Sequence, residues 1–457
     1  RPRTFSPSPM QTSQDFRVGL PRIRGAPEEC FMLHPQFPIG GLTAAVMLML
    51  LFPLPRATAA DPVIFTLEGS VRRALDTAPE MRAADARVEM RAGELQQARA
   101  WPNPTVDLRA DEKLGVEDGR GGTDFRYAAL NQPLPLLRTA RQRQVAETKL
   151  AGAQAQRGDE RLRLEYQTAR AYHLLQLANA HLELARERRD LMESIAAGNG
   201  RDRLVRYLAP AERVRLNILR EQASQAIATA EGESSEAAAH LRALLSLSTD
   251  APPGTVALAP IPPPLPLPAL LPGLDGHPAL VAAQREEDAA RAGVKAARSQ
   301  RFSDPVVTLF RERDYFGGSQ RDYSGVGLSI QVPLWNLNNG GVEKARAAAS
   351  LAQAQYTARR RDLDSRMRKS HLHLNHLIEQ AEHHRAQILE PSERLFSLTR
   401  RSFAAGEVNV LALVDAHDSY FNARARYLEL LAQQWLEAAD FRFAAGLSVL
   451  RTAEVQP

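Results

Sequence analysis

Five of the eleven histidines lie within fourteen residues, in the run Lys369-Ser370-His371-Leu372-His373-Leu374-Asn375-His376 and then His383-His384. His373 and His376 are three apart and share one face of a helix, with His383 and His384 two turns further along it. Imidazole pairs at that spacing bind zinc, copper or nickel. No acidic or thiolate ligand completes a site, so the stripe reads first as the polar wall of a solvated helix. The four imidazoles stand as weak candidates for a metal. Arg359-Arg360-Arg361 is a solvated helix face in the same way. The chain has no Gly-x-x-x-x-Gly-Lys-Ser/Thr loop, no Gly-x-Gly-x-x-Gly after a strand, no His-Glu-x-x-His and no Gly-x-Ser-x-Gly. Nothing here hydrolyses a nucleotide or activates a nucleophile. The reading is a protein that is not an enzyme and takes no cofactor.

Charge excludes a further class. Lysine and arginine total 58 against 53 acids, but residues 1–59 carry six of the arginines and only three acids. What remains is nearly neutral, with no clustered basic footprint, so no nucleic-acid partner is expected. Residues 42–54 are the one stretch near membrane hydrophobicity, and at 13 residues they fall short of the roughly 20 that span a bilayer. Ala57-Thr58-Ala59 follows, so residues 1–59 read as a mis-assigned start plus a signal peptide cut after Ala59, with Met32 as the initiator. Cys30, the single cysteine, lies upstream of that cut, which leaves the exported chain without a disulfide, a thiolate zinc site or a lipidated amino terminus. An exported chain without a spanning helix either stays soluble outside the inner membrane or crosses an outer membrane as a β-barrel.

Proline and glycine punctuation exposes a duplication. Nine prolines fall between Pro252 and Pro272, an extended, donor-poor linker. Across it, Ala100-Trp101-Pro102-Asn103-Pro104 answers Arg301-Phe302-Ser303-Asp304-Pro305, and Gln132-Pro133-Leu134 answers Val332-Pro333-Leu334. Ile195-Ala196-Ala197-Gly198 answers Phe403-Ala404-Ala405-Gly406, and Ala211-Glu212 answers Ala416-His417. The expected organisation is a first repeat over 60–250, the linker over 251–273, a second repeat over 274–447 and a tail over 448–457.

Each repeat reads helix, two strands, long helix, returning helix. The first opens with a helix over Leu67–Arg99 and has strands at Val106–Asp111 and Phe125–Gln132; the second has them at Val306–Arg313 and Tyr323–Val332. The last is the cleanest: Val326, Leu328, Ile330 and Val332 alternate with Gly325, Gly327, Ser329 and Gln331. Period two with one small, polar face fits a strand between lipid and a watery lumen. It also fits a hairpin on a soluble core. The long helices, Thr139–Ala197 and Gly341–Ala405, would each run about 90–100 Å, with a kink expected at Pro391, and shorter helices return over Pro210–Ser246 and Val410–Ala445.

Phe403-Ala404-Ala405-Gly406-Glu407-Val408-Asn409-Val410-Leu411, followed by Asp415-Ala416-His417, resembles the helical-hairpin signature of TolC-type outer-membrane efflux channels. The resemblance covers the whole chain after the signal segment, and it implies a mostly α fold with a small β part. A long-helix periplasmic α-barrel would carry four strands per protomer into a trimeric, twelve-stranded outer-membrane β-barrel. It implies a homotrimer in outer-membrane lipid that docks a periplasmic adaptor and an inner-membrane transporter as a passive exit duct for heavy-metal cations or drugs. A type I secretion duct has the same architecture, and a periplasmic coiled-coil scaffold without a pore is the alternative outside transport. The resemblance places adaptor docking at the hairpin tips, with Gly406, Val408 and Asn409 in one and Gly198 in the other. It places a constriction at Asp415, whose family partner three residues earlier is Ala412 here. The first tip departs from the pattern by a three-residue insertion containing Arg201, Arg203 and Arg206.

Overall fold

The computed structural model describes residues 64–113, 122–136, 138–197, 210–247, 253–316 and 319–450. The expected signal segment, Cys30, Gly198 and the arginines of the first tip lie outside them. A short strand β1 (Ile64–Phe65) leads into helices α1 (Leu67–Thr77) and α2 (Pro79–Arg99), then strands β2 (Thr105–Lys113) and β3 (Gly122–Pro133). Helix α3 (Arg138–Ala197) has 60 residues, about 90 Å, and α4 (Pro210–Leu244) follows. After β4 (Gly254–Thr255), a short helix α5 (Leu267–Leu270) and a 3₁₀ turn (Leu271–Gly276), α6 (Pro278–Ser299) leads to β5 (Val306–Phe316) and β6 (Ser319–Ser329). Helix α7 (Asn339–His384), a π-helical turn (Arg385–Leu389), α8 (Glu390–Ala405) and α9 (Val410–Ala445) follow.

Three expectations are corrected by backbone chemistry. The helix over Leu67–Arg99 is two helices: Ala78 is extended (φ −63°, ψ 131°) because the residue before a proline is forced out of the helical region, and Pro79 restarts the helix at its first position. The second long helix is interrupted by the π turn. Pro391 has no N–H and its ring would collide with the Gln387 carbonyl, and one wide turn, in which Glu390 N–H donates to Arg385 O, relieves the clash. β6 ends at Ser329, not Val332, because its ladder runs out where Val306 pairs with Ser329, one step from Pro305.

Apolar residues close the helices on one another in matching clusters. In the first half Ala74, Met81, Leu164, Leu175 and Leu241 interlock; in the second, Leu280, Leu363, Met367, Phe441 and Ala444 do so. Val71, Ala169, Ala439 and Val449 join the two. Buried alanine lets the backbones approach closely, so the core is thin and spread along the helices rather than gathered in one globule.

The proline-rich segment is a strap held to this frame. β4 pairs parallel with β1, Tyr172 Oη donates to Phe65 O at 3.0 Å, and Gln176 Nε2 donates to Val256 O at 2.7 Å. Further along, Trp435 Nε1 donates to Ala259 O at 2.7 Å and His371 Nε2 to Leu265 O at 3.0 Å. A chain of prolines cannot donate its own backbone bonds, and its carbonyls take theirs from helix side chains.

Candidate channel surfaces

β2, β3, β5 and β6 form one antiparallel sheet in that order. The register aligns Val106, Leu130, Leu309 and Val326 in one row across all four strands. Leu108 and Leu328 lie two residues away on the same face, and all six side chains are exposed, Val326 at 73%. The opposite face alternates with them and is polar or self-covered. Asn131 Nδ2 donates to Asp107 Oδ2 at 2.6 Å and Thr308 Oγ1 donates to Asn131 Oδ1 at 2.7 Å, so one hydrogen-bonded chain crosses three strands. Tyr127 stacks near Phe310 at 6.1 Å, and the Arg109 guanidinium lies 5.0 Å from the Tyr127 ring centre. Phe310 reaches across to Gly325, where an added Cβ would sit 2.5 Å from its Cζ; only glycine leaves room for the ring.

At the helical end of the sheet, Trp101 precedes β2, Phe302 precedes β5 and Trp335 follows β6, and all three rings are exposed, Trp335 at 93%. Aromatic rings gathered beyond one end of an apolar band match the girdle of a membrane interface.

At the other end of the helices, α8 stops at Gly406 (φ 77°, ψ 15°), the left-handed conformation that favours glycine. Gly406 N–H donates to Phe403 O at 3.0 Å and Glu407 N–H to Ser402 O at 2.9 Å, which closes the turn as a Schellman motif. Asn409 caps α9, its side-chain oxygen accepting from Ala412 N–H at 3.0 Å. Val408 turns inward against Phe396, Phe403, Leu413, Val414 and Leu216. Both residues therefore hold the tip together, Val408 half-buried and Asn409 exposed, with Leu411, Ala405 and Glu407 exposed beside them. Asp415 is exposed one turn into α9, and among the described residues it makes no ion pair with Arg400 or Arg401.

Sequence reasoning missed the ties between the hairpins. Arg188 on α3 holds Asp418 on α9 at 2.6 Å, and Glu187 pairs with Arg424 one helical step away. His417 is wholly buried beside them, its Nδ1 3.2 Å from Asp418 Oδ1. That hydrogen bond, reinforced by Arg188, holds the Asp418 carboxyl below the usual aspartate range. The spacing of Asp418 three residues after Asp415 was the only local signal for it.

The histidine stripe is divided among separate tasks. His371 is buried and holds the strap, His373 Nδ1 lies 3.0 Å from Glu437 Oε2, and His384 Nε2 donates to Ala423 O at 2.9 Å. His376 and His383 are exposed. Among the described residues, no three histidine, cysteine or acidic side chains converge as a metal site.

Residues 273–447 match the family of outer membrane efflux proteins. The chain is 28% identical over 421 residues to the cobalt-zinc-cadmium resistance protein CzcC of Cupriavidus metallidurans, covering 89% of this chain and 94% of that one. It is 29% identical over 311 residues to the nickel-cobalt-cadmium resistance protein NccC of Alcaligenes xylosoxydans, covering 66% and 67%. The open state of the outer membrane channel MtrE of Neisseria gonorrhoeae superposes with a TM-score of 0.68 at 18% identity, over 84% of this chain and 90% of that one. The four-stranded sheet, the long helices and the closed hairpin tip agree with the fold of that channel, and residues 273–447 carry the match to the outer membrane efflux protein family.

Proposed function

We propose that this protein is the outer-membrane exit duct of a tripartite efflux pump, a passive channel that takes divalent transition-metal cations from a periplasmic adaptor and an inner-membrane transporter. The sheet carries this reading. It is apolar and exposed on one face, polar on the other, and its outer strands β2 and β6 have no neighbour among the described residues. Open sheet edges do not occur in hydrocarbon, so a lipid-facing sheet must close on other copies. β2 and β6 run in opposite directions, so β6 of one copy can lie antiparallel to β2 of the next. Three copies of this four-stranded sheet make a closed barrel of twelve.

Support for a metal cargo comes from the names of the two relatives, not from the histidine stripe. Asp415 is exposed near the tip, and threefold symmetry would set three such carboxylates around the axis, favouring cations. The Gly406 turn is the surface offered to the adaptor. The test is expression in a strain lacking its own duct, together with a cognate adaptor and transporter. The protein should appear in the outer-membrane fraction as a heat-modifiable trimer and restore growth on cobalt, zinc and cadmium. Recovery in the soluble periplasmic fraction alone ends the reading.

A further inference from the structure

The joint between the hairpins encloses a cavity of about 130 Å³, with walls from α3 (Arg188, Met192), α4 (Gln222) and α9 (His417, Asp418). Met192 is 4% exposed and His417 is wholly buried. Asp418 accepts from Arg188 at 2.6 Å and lies 3.2 Å from His417 Nδ1. An ionised carboxylate has no proton to give, so Nδ1 carries the imidazole proton and Nε2 holds the lone pair. Nε2 is sealed from solvent, and among the described residues no group bonds to it. The rings packed on the imidazole, Phe421 at 4.5 Å and Phe396 at 5.9 Å, offer it no hydrogen bond. A buried acceptor without a partner is rare, and this one belongs to a residue that lines a cavity.

A carboxylate that fixes Nδ1–H and leaves Nε2 open is the arrangement that supports an imidazole bound to a metal. Met192 brings a thioether to the same cavity, and thioethers select soft cations such as copper(I). Charge narrows the choice further. The cavity's one carboxylate is already engaged by Arg188 and His417, and the neighbouring Glu187–Arg424 pair is neutral in itself. A divalent ion would find no free anionic ligand here, whereas a soft monovalent ion needs only neutral donors. The volume is that of about four waters, room for a single ion with some residual hydration. We propose that His417 Nε2 and Met192 Sδ, backed by Asp418, form a site for one thiophilic monovalent cation of the copper(I) and silver(I) class. Its ligands come from α3 and α9, so an occupied site ties the two hairpins together. The site is separate from the divalent cargo of the duct and does not rest on that reading.

The test titrates silver(I), a redox-inert probe, into the full-length detergent-purified protein in chloride-free buffer, and reads stoichiometry and affinity by calorimetry. Wild type should hold one tightly bound ion per chain, and a large excess of zinc should not displace it. Met192→Leu, a volume-conserving change, should weaken that binding at least about tenfold, the lower end of the cost of losing even an outer partner of a metal ligand. His417→Gln should do the same, and Met192→Leu alone decides if that variant does not fold. His376→Gln with His383→Gln, both exposed, should leave the tight ion in place. X-ray absorption at the silver edge should show a nitrogen and a sulfur neighbour. Absence of a tight ion, which leaves the cavity to water, would overturn the proposal. So would displacement by zinc, equal affinity in wild type and Met192→Leu, or loss of the ion with the two exposed histidines. Binding is read on purified protein, so its failure leaves the channel reading untouched.

Discussion

Replacing Leu328 with arginine puts a charge inside the outward stripe. The outward apolar side chains run from Val326 to Val332, six residues along the chain and about 20 Å if extended, which a tilt of about 45° reduces to roughly 14 Å of height. That stripe fits within the roughly 25 Å apolar band of an outer-membrane barrel, and Leu328 lies inside it, away from the Arg311–Ser324 pair that borders Val326. At that depth an arginine costs about 2–4 kcal/mol per protomer, hence about 6–12 kcal/mol in a trimer. On a soluble hairpin the same exposed position would tolerate arginine to within about 0.5 kcal/mol. Gly327→Arg is the matched control, since it has the same depth on the opposite face and its Cβ would meet Thr308 Cβ at an ordinary 3.6 Å. The assay is the temperature at which the folded trimer dissociates on a gel, measured in outer-membrane preparations. Leu328→Arg should lower it steeply or abolish assembly, while Gly327→Arg should stay near wild type. If both variants keep the wild-type midpoint, or the two fall together, the assignment of faces is wrong.

Three further expectations concern the helices. Gly406→Val forces a β-branched residue to φ 77° at a cost of at least about 1–2 kcal/mol, and should abolish metal resistance while trimer and insertion persist; undiminished adaptor cross-linking with full efflux would refute it. Asp415→Ala should reduce cation selectivity and divalent block in planar-bilayer recordings, and unchanged currents would remove Asp415 from the pore. His173 is buried against Trp435 at 5.0 Å, and burial pushes its pKa down to about 4. A histidine depressed in the folded state leaves stability unaffected above about pH 6.5 and costs stability as pH falls from there towards 4, with about 2 kcal/mol lost by pH 5. His173→Gln should flatten that dependence, read from Trp435 fluorescence during urea unfolding; an unchanged acid limb would assign the loss to other groups.

Local sequence carried what depends on backbone chemistry alone. Val326, Leu328, Ile330 and Val332 declared a strand because side chains alternate with period two whatever lies nearby. Gly406 declared a left-handed helix stop, and the long proline-poor stretches declared the helices, for equally local reasons. The Pro391 disruption was legible, but its form, a π turn over Arg385–Leu389, was not. The histidines show the limit most clearly. Their spacing along α7 is a fact of sequence, yet His371 faces a strap residue 106 positions away and His384 a carbonyl 39 positions away. Arg188 and Asp418 are 230 residues apart, and no window of sequence joins them. Partner choice between distant side chains is set by which helix faces the packing of alanine and leucine brings together, and that exists only once the chain has folded.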